Sequence, residues 1–372
     1  MYKSEKPMQP TFSKHILGDL ILSNRIVMAP MNRNRALNNQ PNALMTEYYA
    51  QRSNAGLIIT EGTAPSPAGL GHARMPGIYT KSQIQAWRQI TNAIHENGGK
   101  VFLQLMHTGR VGHALNVPNG APVLAPSAVA ATGQVWTDKL GWADYTVPQE
   151  MTIEEIEATK YEFTEAAVNA MTAGFDGIEL QAGDGYLFEQ FLSPKTNRRT
   201  DAYGGNIQNR SRFLLEVVSS ISEAIGKDQI GVLLSPYNMT NDMALYDDID
   251  ATYQYLAGQL NDEGVIYLHL QDHSSLGEPA LPASLRLAIR EAFHRTIIST
   301  GGYNLKKAEQ DIVHGVADLV GFDKLYVNNP DLATRLRKNY PLNSILDFST
   351  LYTSGERGYT NYPVYDEELI SA

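Results

Sequence analysis

The chain has 372 residues, a formal net charge of −10 and no cysteine. An acidic surface repels phosphate backbones, so nucleic acid and anionic membranes are not expected partners. The missing thiols exclude disulfides, cysteine nucleophiles and cysteine-ligated zinc. The opening stretch MYKSEKPMQPTFSKHILGDL lacks a continuous apolar core, and no apolar run is long enough to span a bilayer. A cytoplasmic protein that acts on a small molecule is expected, with self-association left open.

In chain order, HILGDLILSNR (15–25) comes first and predicts a β-hairpin turning at Gly18-Asp19, suited to plug one end of a barrel. RIVMAPM (25–31), LIITEGT (57–63) and KVFLQLMH (100–107) read as buried strands, each a short apolar run that ends in polar residues or glycine. GIELQAG (177–183), IGVLLSP (230–236), VIYLHLQD (265–272), TIISTGG (296–302) and LVGF (319–322) bring the series to eight. Helical periodicity fills the gaps, as in 82–97, 152–174 and 209–226, and Gly98, Gly174 and Gly226 stand where helices should stop. Eight strands alternating with helices predict one α/β domain over 1–372, a (β/α)8 TIM barrel. No GxGxxG follows the first strand, which counts against an open dinucleotide-binding sheet. Residues 108–150 break the alternation. This Gly-, Pro- and Ala-rich excursion follows the third strand on the catalytic face, where long ordered loops build binding sites.

The segments NRIVMAPM, YYAQRSNAGLIITEGT, GKVFLQLMHTGR, LAPSAV, AGFDGIEL, NRRTDAYGGNIQNRSRFLLEVV and GERGYTNYP resemble the old yellow enzyme family over about Phe12 to Pro363. The resemblance implies an FMN-dependent barrel that takes hydride from NAD(P)H and passes it to the β-carbon of an activated alkene. It also implies a tyrosine that protonates the α-carbon, at Tyr186 here. Positions implied to contact FMN, where it is retained, are Pro30, Asn32, Gly62, Gln104, Gly301, Gly302 and Lys324.

Several polar positions of the family pattern differ. The fourth strand ends QAGDGY rather than HGANGY or HGAHGY, so Gln181 and Asp184 replace two donors to the substrate oxygen. GVLLSP puts Leu233 at the fifth-strand arginine position, and FDKLYVNNPDL puts Asp323 and Lys324 at the Gly-Arg pair of the phosphate motif. A lost charge-assisted hydrogen bond costs about 1.5–3 kcal/mol, and a carboxylate beside a phosphate opposes binding. Summed, these changes predict weak or absent FMN and flavin-independent acid–base chemistry. Isomerisation, cyclisation or addition on a small unsaturated carbonyl compound would fit, with Tyr186, Asp184 and Gln181 as the catalytic group. An FMN-dependent NAD(P)H ene reductase is the alternative, and a non-catalytic ligand-binding barrel the second. His107, Trp136, Leu233, His273 and Tyr359 are the expected substrate contacts, with Trp142 and Tyr145 adding flat apolar surface. No metal site is expected. His269, Gln271 and His273 alternate along the sixth strand, but lack a third ligand on the same side.

Overall fold

A computed structural model describes residues 9–366. The first eight and last six residues, which belong to the N-terminal segment and to the 1–372 domain expectation, lie outside the described residues. The strands are β1 (His15–Leu17), β2 (Leu20–Leu22), β3 (Ile26–Met28), β4 (Leu57–Ile59), β5 (Val101–Leu105), β6 (Leu124–Ala125), β7 (Gln134–Thr137), β8 (Gly141–Asp144), β9 (Gln149–Glu150), β10 (Gly177–Gln181), β11 (Ile230–Leu234), β12 (Tyr267–Gln271), β13 (Thr296–Thr300) and β14 (Leu319–Phe322). The main helices are α1 (Ala43–Ala50), α2 (Lys81–Glu96), α3 (Ile153–Thr172), α4 (Leu187–Leu192), α5 (Ile207–Ile225), α6 (Ile249–Glu263), α7 (Ala283–Ala292), α8 (Leu305–Val313), α9 (Lys324–Asn328) and α10 (Leu332–Lys338).

Strands β3, β4, β5, β10, β11, β12, β13 and β14 close a parallel barrel in that order, with β14 back on β3. This is the expected TIM barrel. Its strands are buried on both faces, the reason they read as continuous apolar runs. The strands are shorter than their apolar runs. β3 stops at Met28, two residues before Pro30, which has no N–H to extend a ladder. Helices stop where glycine takes a positive φ: Gly98 at 76°, Gly174 at 90° and Gly226 at 92°. Capping boxes start α2 (Thr80 with Gln83) and α3 (Thr152 with Glu155).

The hairpin β1–β2 turns at Gly18, whose φ is +56°. It plugs the barrel floor by packing Leu17 and Leu22 on Val27, Leu57, Ile59, Phe102, Ile266, Tyr267, Ile298 and Leu319. Truncating a leucine buried this completely costs about 2–5 kcal/mol. Above this apolar layer Glu179 is fully buried inside the barrel and accepts from Gln104 Nε2 (2.9 Å) and the Tyr267 hydroxyl (3.1 Å). His269 Nδ1 lies 2.9 Å from the same carboxylate, and its Nε2 2.6 Å from Thr300 Oγ1.

The 108–150 excursion is ordered. Its β7–β8 hairpin sets Trp136 opposite Trp142 with ring centroids 5.9 Å apart. After α10 the chain returns across the mouth. Buried Arg33 and Arg35, from the segment after β3, fasten it by donating to the carbonyls of Thr350, Leu351, Gly355, Arg357 and Gly358. No helix among the described residues is long and apolar enough to cross a membrane.

Candidate active site

The loop after β10 carries the most chemistry. Asp184 and Gly185 take consecutive positive φ angles of 55° and 75°. Aspartate tolerates this left-handed region better than most residues, and glycine adopts it freely. The turn is locked from several sides. Asp184 N–H donates to Ser235 Oγ (2.7 Å), Gly185 N–H to Glu189 Oε2 (2.6 Å), and Asn241 Nδ2 to the Asp184 carbonyl (2.7 Å). Burial pushes the Glu189 carboxyl up to about 7, although it also accepts from Tyr253 and Asn238. The turn leaves Tyr186 at the start of α4 with its ring in the wall of a cavity of about 820 Å³.

Asn32, Asn34, His72, Arg74, Tyr145 and the Trp136–Trp142 hairpin share that wall with Phe348, Ser349 and Tyr352–Ser354 of the C-terminal segment. Arg74 ties the parts together by donating to the Asn34 and Tyr352 carbonyls and pairing with Asp138 in the hairpin turn. Trp136 Nε1 donates to the same carboxylate at 3.1 Å, which fixes the angle of its ring. Burial, then the charge of Asp184 and the hydroxyls of Tyr145 and Tyr352, push the Tyr186 phenol well above its ordinary pKa. It therefore keeps its proton at neutral pH.

Next to Tyr186, Asp184 faces two groups. Its Oδ2 accepts from Gln181 Nε2 (2.9 Å), and its Oδ1 lies 2.7 Å from His273 Nε2. Burial opposes charge on His273, but the hydrogen bond and charge of Asp184, with Glu278 and Glu189, outweigh it and hold the imidazole above its ordinary pKa. Asp184 sits in a polar set whose histidine comes from the turn after β12, 89 residues away in sequence.

Not every expected substrate contact reaches the cavity wall. Trp136 does. Leu233 is fully buried, its side chain against Gly183, and is absent from the wall. His107 is buried with Nδ1 accepting from Gly109 N–H (3.0 Å) and Nε2 without a partner, and burial pulls its pKa down to about 3. His273 is held back by Asp184. Tyr359 is fully buried and stacks on Tyr48 (centroids 4.0 Å apart, planes 5° apart) beneath Arg33 and Arg35. These four positions lie at strand ends or in the C-terminal segment, but their side chains turn into the protein. His72, Arg74 and the 348–354 stretch were missed because nothing in their local sequence marks a site.

The residues expected at a flavin form one continuous arc of the rim. Pro30 and Asn32 follow β3, Gly62 follows β4, Gln104 is near the end of β5, Gly301 and Gly302 follow β13, and Lys324 opens α9 after β14. These five strands are consecutive neighbours in the barrel. The arc has side-chain amides at one end and glycine backbone with an exposed ammonium at the other, which fits a flat ring of amide-like edges with a phosphate tail. At Gly62 a Cβ would meet the flexible end of Met106 at 2.6 Å, and the Gly62 N–H donates to Asn32 Oδ1 (3.1 Å). Gly301 and Gly302 adopt φ of +130° and +60°, open to glycine. Asp323 is the N-cap of α9, its carboxylate accepting from the Lys324 N–H at 2.6 Å.

Comparison with known proteins agrees with this geometry. The profile of the NADH:flavin oxidoreductase / NADH oxidase family matches residues 12–343, and the chain belongs to that family, the old yellow enzyme family. It is 37% identical to a Leishmania infantum protein described as a probable flavin mononucleotide-dependent alkene reductase, over 98% of this chain and 100% of that one. It is 36% identical to 12-oxophytodienoate reductase 2 of Arabidopsis thaliana, over 96% of each chain. The solved structure of a morphinone reductase superposes with a TM-score of 0.93 at 38% identity, covering 97% of this chain and 98% of that one.

These findings overturn two expectations, flavin-independent chemistry and weak or absent FMN. The costs of Leu233, Asp323 and Lys324 had been summed as if independent, although substitutions around one ligand do not add.

Proposed function

We propose that the protein is an FMN-dependent reductase that takes hydride from NADH or NADPH and saturates the activated C=C bond of a small carbonyl or nitro compound. The observation that carries this reading is the protonated Tyr186 phenol facing an 820 Å³ cavity beside the retained arc. Asn32, Gly62 and Gln104 would hold the ring, and Gly301, Gly302 and Lys324 the phosphate. Bound there, FMN supplies the hydride for the alkene β-carbon.

The chain's own part is binding, orientation and the proton. Trp136, Trp142, Tyr145 and Phe348 offer flat apolar surface to a substrate and keep bulk water from it. Gln181 and His273 are both engaged by the Asp184 carboxylate and brace the turn that presents Tyr186. Tyr186 holds the proton for the α-carbon. NAD(P)H is an intracellular nucleotide, so under this reading the protein works in the cytoplasm.

Flavin analysis of freshly purified protein tests the proposal. A yellow protein that releases about one FMN per chain, and consumes NAD(P)H in step with 2-cyclohexenone, is expected. Colourless protein that gains no NAD(P)H-dependent activity with added FMN would overturn it.

A further inference from the structure

Tyr186 does not face the cavity alone. His72, in the loop between β4 and α2, lies with Nε2 3.2 Å from the Tyr186 hydroxyl. The two rings meet edge to face, centroids 5.8 Å apart, and both line the cavity. The pair is joined across 114 residues of sequence. Burial pulls the His72 pKa down to about 4, so the ring is a neutral imidazole carrying a single N–H at neutral pH.

The position of that hydrogen decides what the pair can do. With the hydrogen on Nδ1, Nε2 would accept the phenol proton and hold it away from a substrate. With it on Nε2, the imidazole donates to the phenol oxygen, and the phenol hydrogen is free to point into the cavity. The surroundings of Tyr186 argue for the second arrangement. Asp184, Tyr145 and Tyr352 all oppose a phenolate there, as does burial, and Asn241 is the group that favours it. A phenol that gives up its proton in such a place needs a further donor aimed at its oxygen, and His72 is within reach.

We propose that His72 is the positioning residue of the proton-transfer step, donating Nε2–H to the Tyr186 oxygen so that the phenol hydrogen faces the substrate α-carbon and the departing phenolate is held. This rests on the reductase reading above. Hydride addition at the β-carbon leaves an electron pair at the α-carbon. The O–H bond of Tyr186 breaks and a C–H bond forms there with that pair. The phenolate then takes a proton from water entering the cavity, and His72 keeps its own proton throughout.

Two measurements test this. In ¹⁵N-histidine-labelled protein, long-range ¹H–¹⁵N correlation reads the ring tautomer without any turnover. A protonated His72 Nε2 that shifts on Tyr186→Phe is expected, and an unprotonated Nε2 overturns the proposal. In anaerobic stopped-flow, His72→Phe keeps a ring but removes the donor. It should slow reoxidation of the reduced flavin by 2-cyclohexenone by roughly 10²-fold, the scale for loss of one such donor. Reoxidation by ferricyanide, which needs no carbon protonation, should slow far less than reoxidation by 2-cyclohexenone, and the ratio of the two rates is the readout. His72→Gln, which restores an N–H donor, should recover most of the rate. An unimpaired His72→Phe, or a His72→Gln as slow as His72→Phe, overturns the proposal. If the parent protein shows no flavin chemistry at all, the reductase reading falls, and the ring-nitrogen result alone decides whether His72 donates to Tyr186.

Discussion

Two carboxylates on one strand and the turn that follows it are surrounded by the same kinds of partner and do different work. Glu179, inside the barrel, has an amide (Gln104), a histidine (His269) and a tyrosine (Tyr267) around it, and all four residues are buried. Asp184, at the mouth, has an amide (Gln181) and a histidine (His273), with a tyrosine (Tyr186) close by, and keeps 17% of its side chain exposed. Glu179 and its partners are paired by strand register, Glu179 lying directly beside Gln104. Of the partners of Asp184, Gln181 ends β10 and His273 arrives from the turn after β12. Burial makes the first set a pin for the barrel, whereas the second set keeps part of the Asp184 carboxylate exposed at the mouth.

The largest expected contrast is in stability. Glu179→Ala strands Gln104, Tyr267 and His269 in the core and should cost about 3–5 kcal/mol in urea unfolding. Asp184→Asn keeps a residue type that tolerates positive φ and should cost about 1 kcal/mol or less. Equal losses would break the comparison. Tyr186→Phe should do the reverse, lowering alkene reduction by roughly 10²-fold or more while stability and NAD(P)H-driven flavin reduction stay near the parent values.

A third test uses pH. The folded-state pKa of His273 is raised, so its pairing with Asp184 adds stability that is full below the ordinary imidazole value and is lost as pH rises through the folded value. Parent protein should be more stable than His273→Asn at about pH 5, and the gap should close by about pH 9. A gap that widens with rising pH would refute the charged pair. The smallest effect is expected at Trp136, which is 41% exposed. Trp136→Ala should raise KM for a bulky cyclic alkene several-fold, about 1 kcal/mol of stacking, and leave the melting temperature unchanged.

The barrel was legible because its strands are buried on both faces and stay apolar from end to end, and because glycines mark where helices stop. The floor hairpin was legible for the same local reason, a Gly-Asp turn between alternating residues. At the mouth, Tyr186 lines the cavity, and the positions expected at a flavin fall on five neighbouring strands. The mouth was misread where side-chain direction matters. Leu233 and Tyr359 lie at the expected heights but turn inward, and His273 reaches Asp184 from another strand. His72 carries no local mark at all, since its meeting with Tyr186 exists only in three dimensions. Two of the replacements, Gln181 and Asp184, are hydrogen-bonded to each other, a link that local sequence does not display.

The most direct test of the central claim is anaerobic and has two halves. NADPH is added to purified protein and absorbance near 450 nm is followed, then 2-cyclohexenone is added with oxygen still excluded. The account predicts that the flavin band bleaches and then returns, with one saturated ketone formed per flavin reoxidised. A protein without a flavin band, or a reduced flavin that the alkene leaves unchanged, would contradict it.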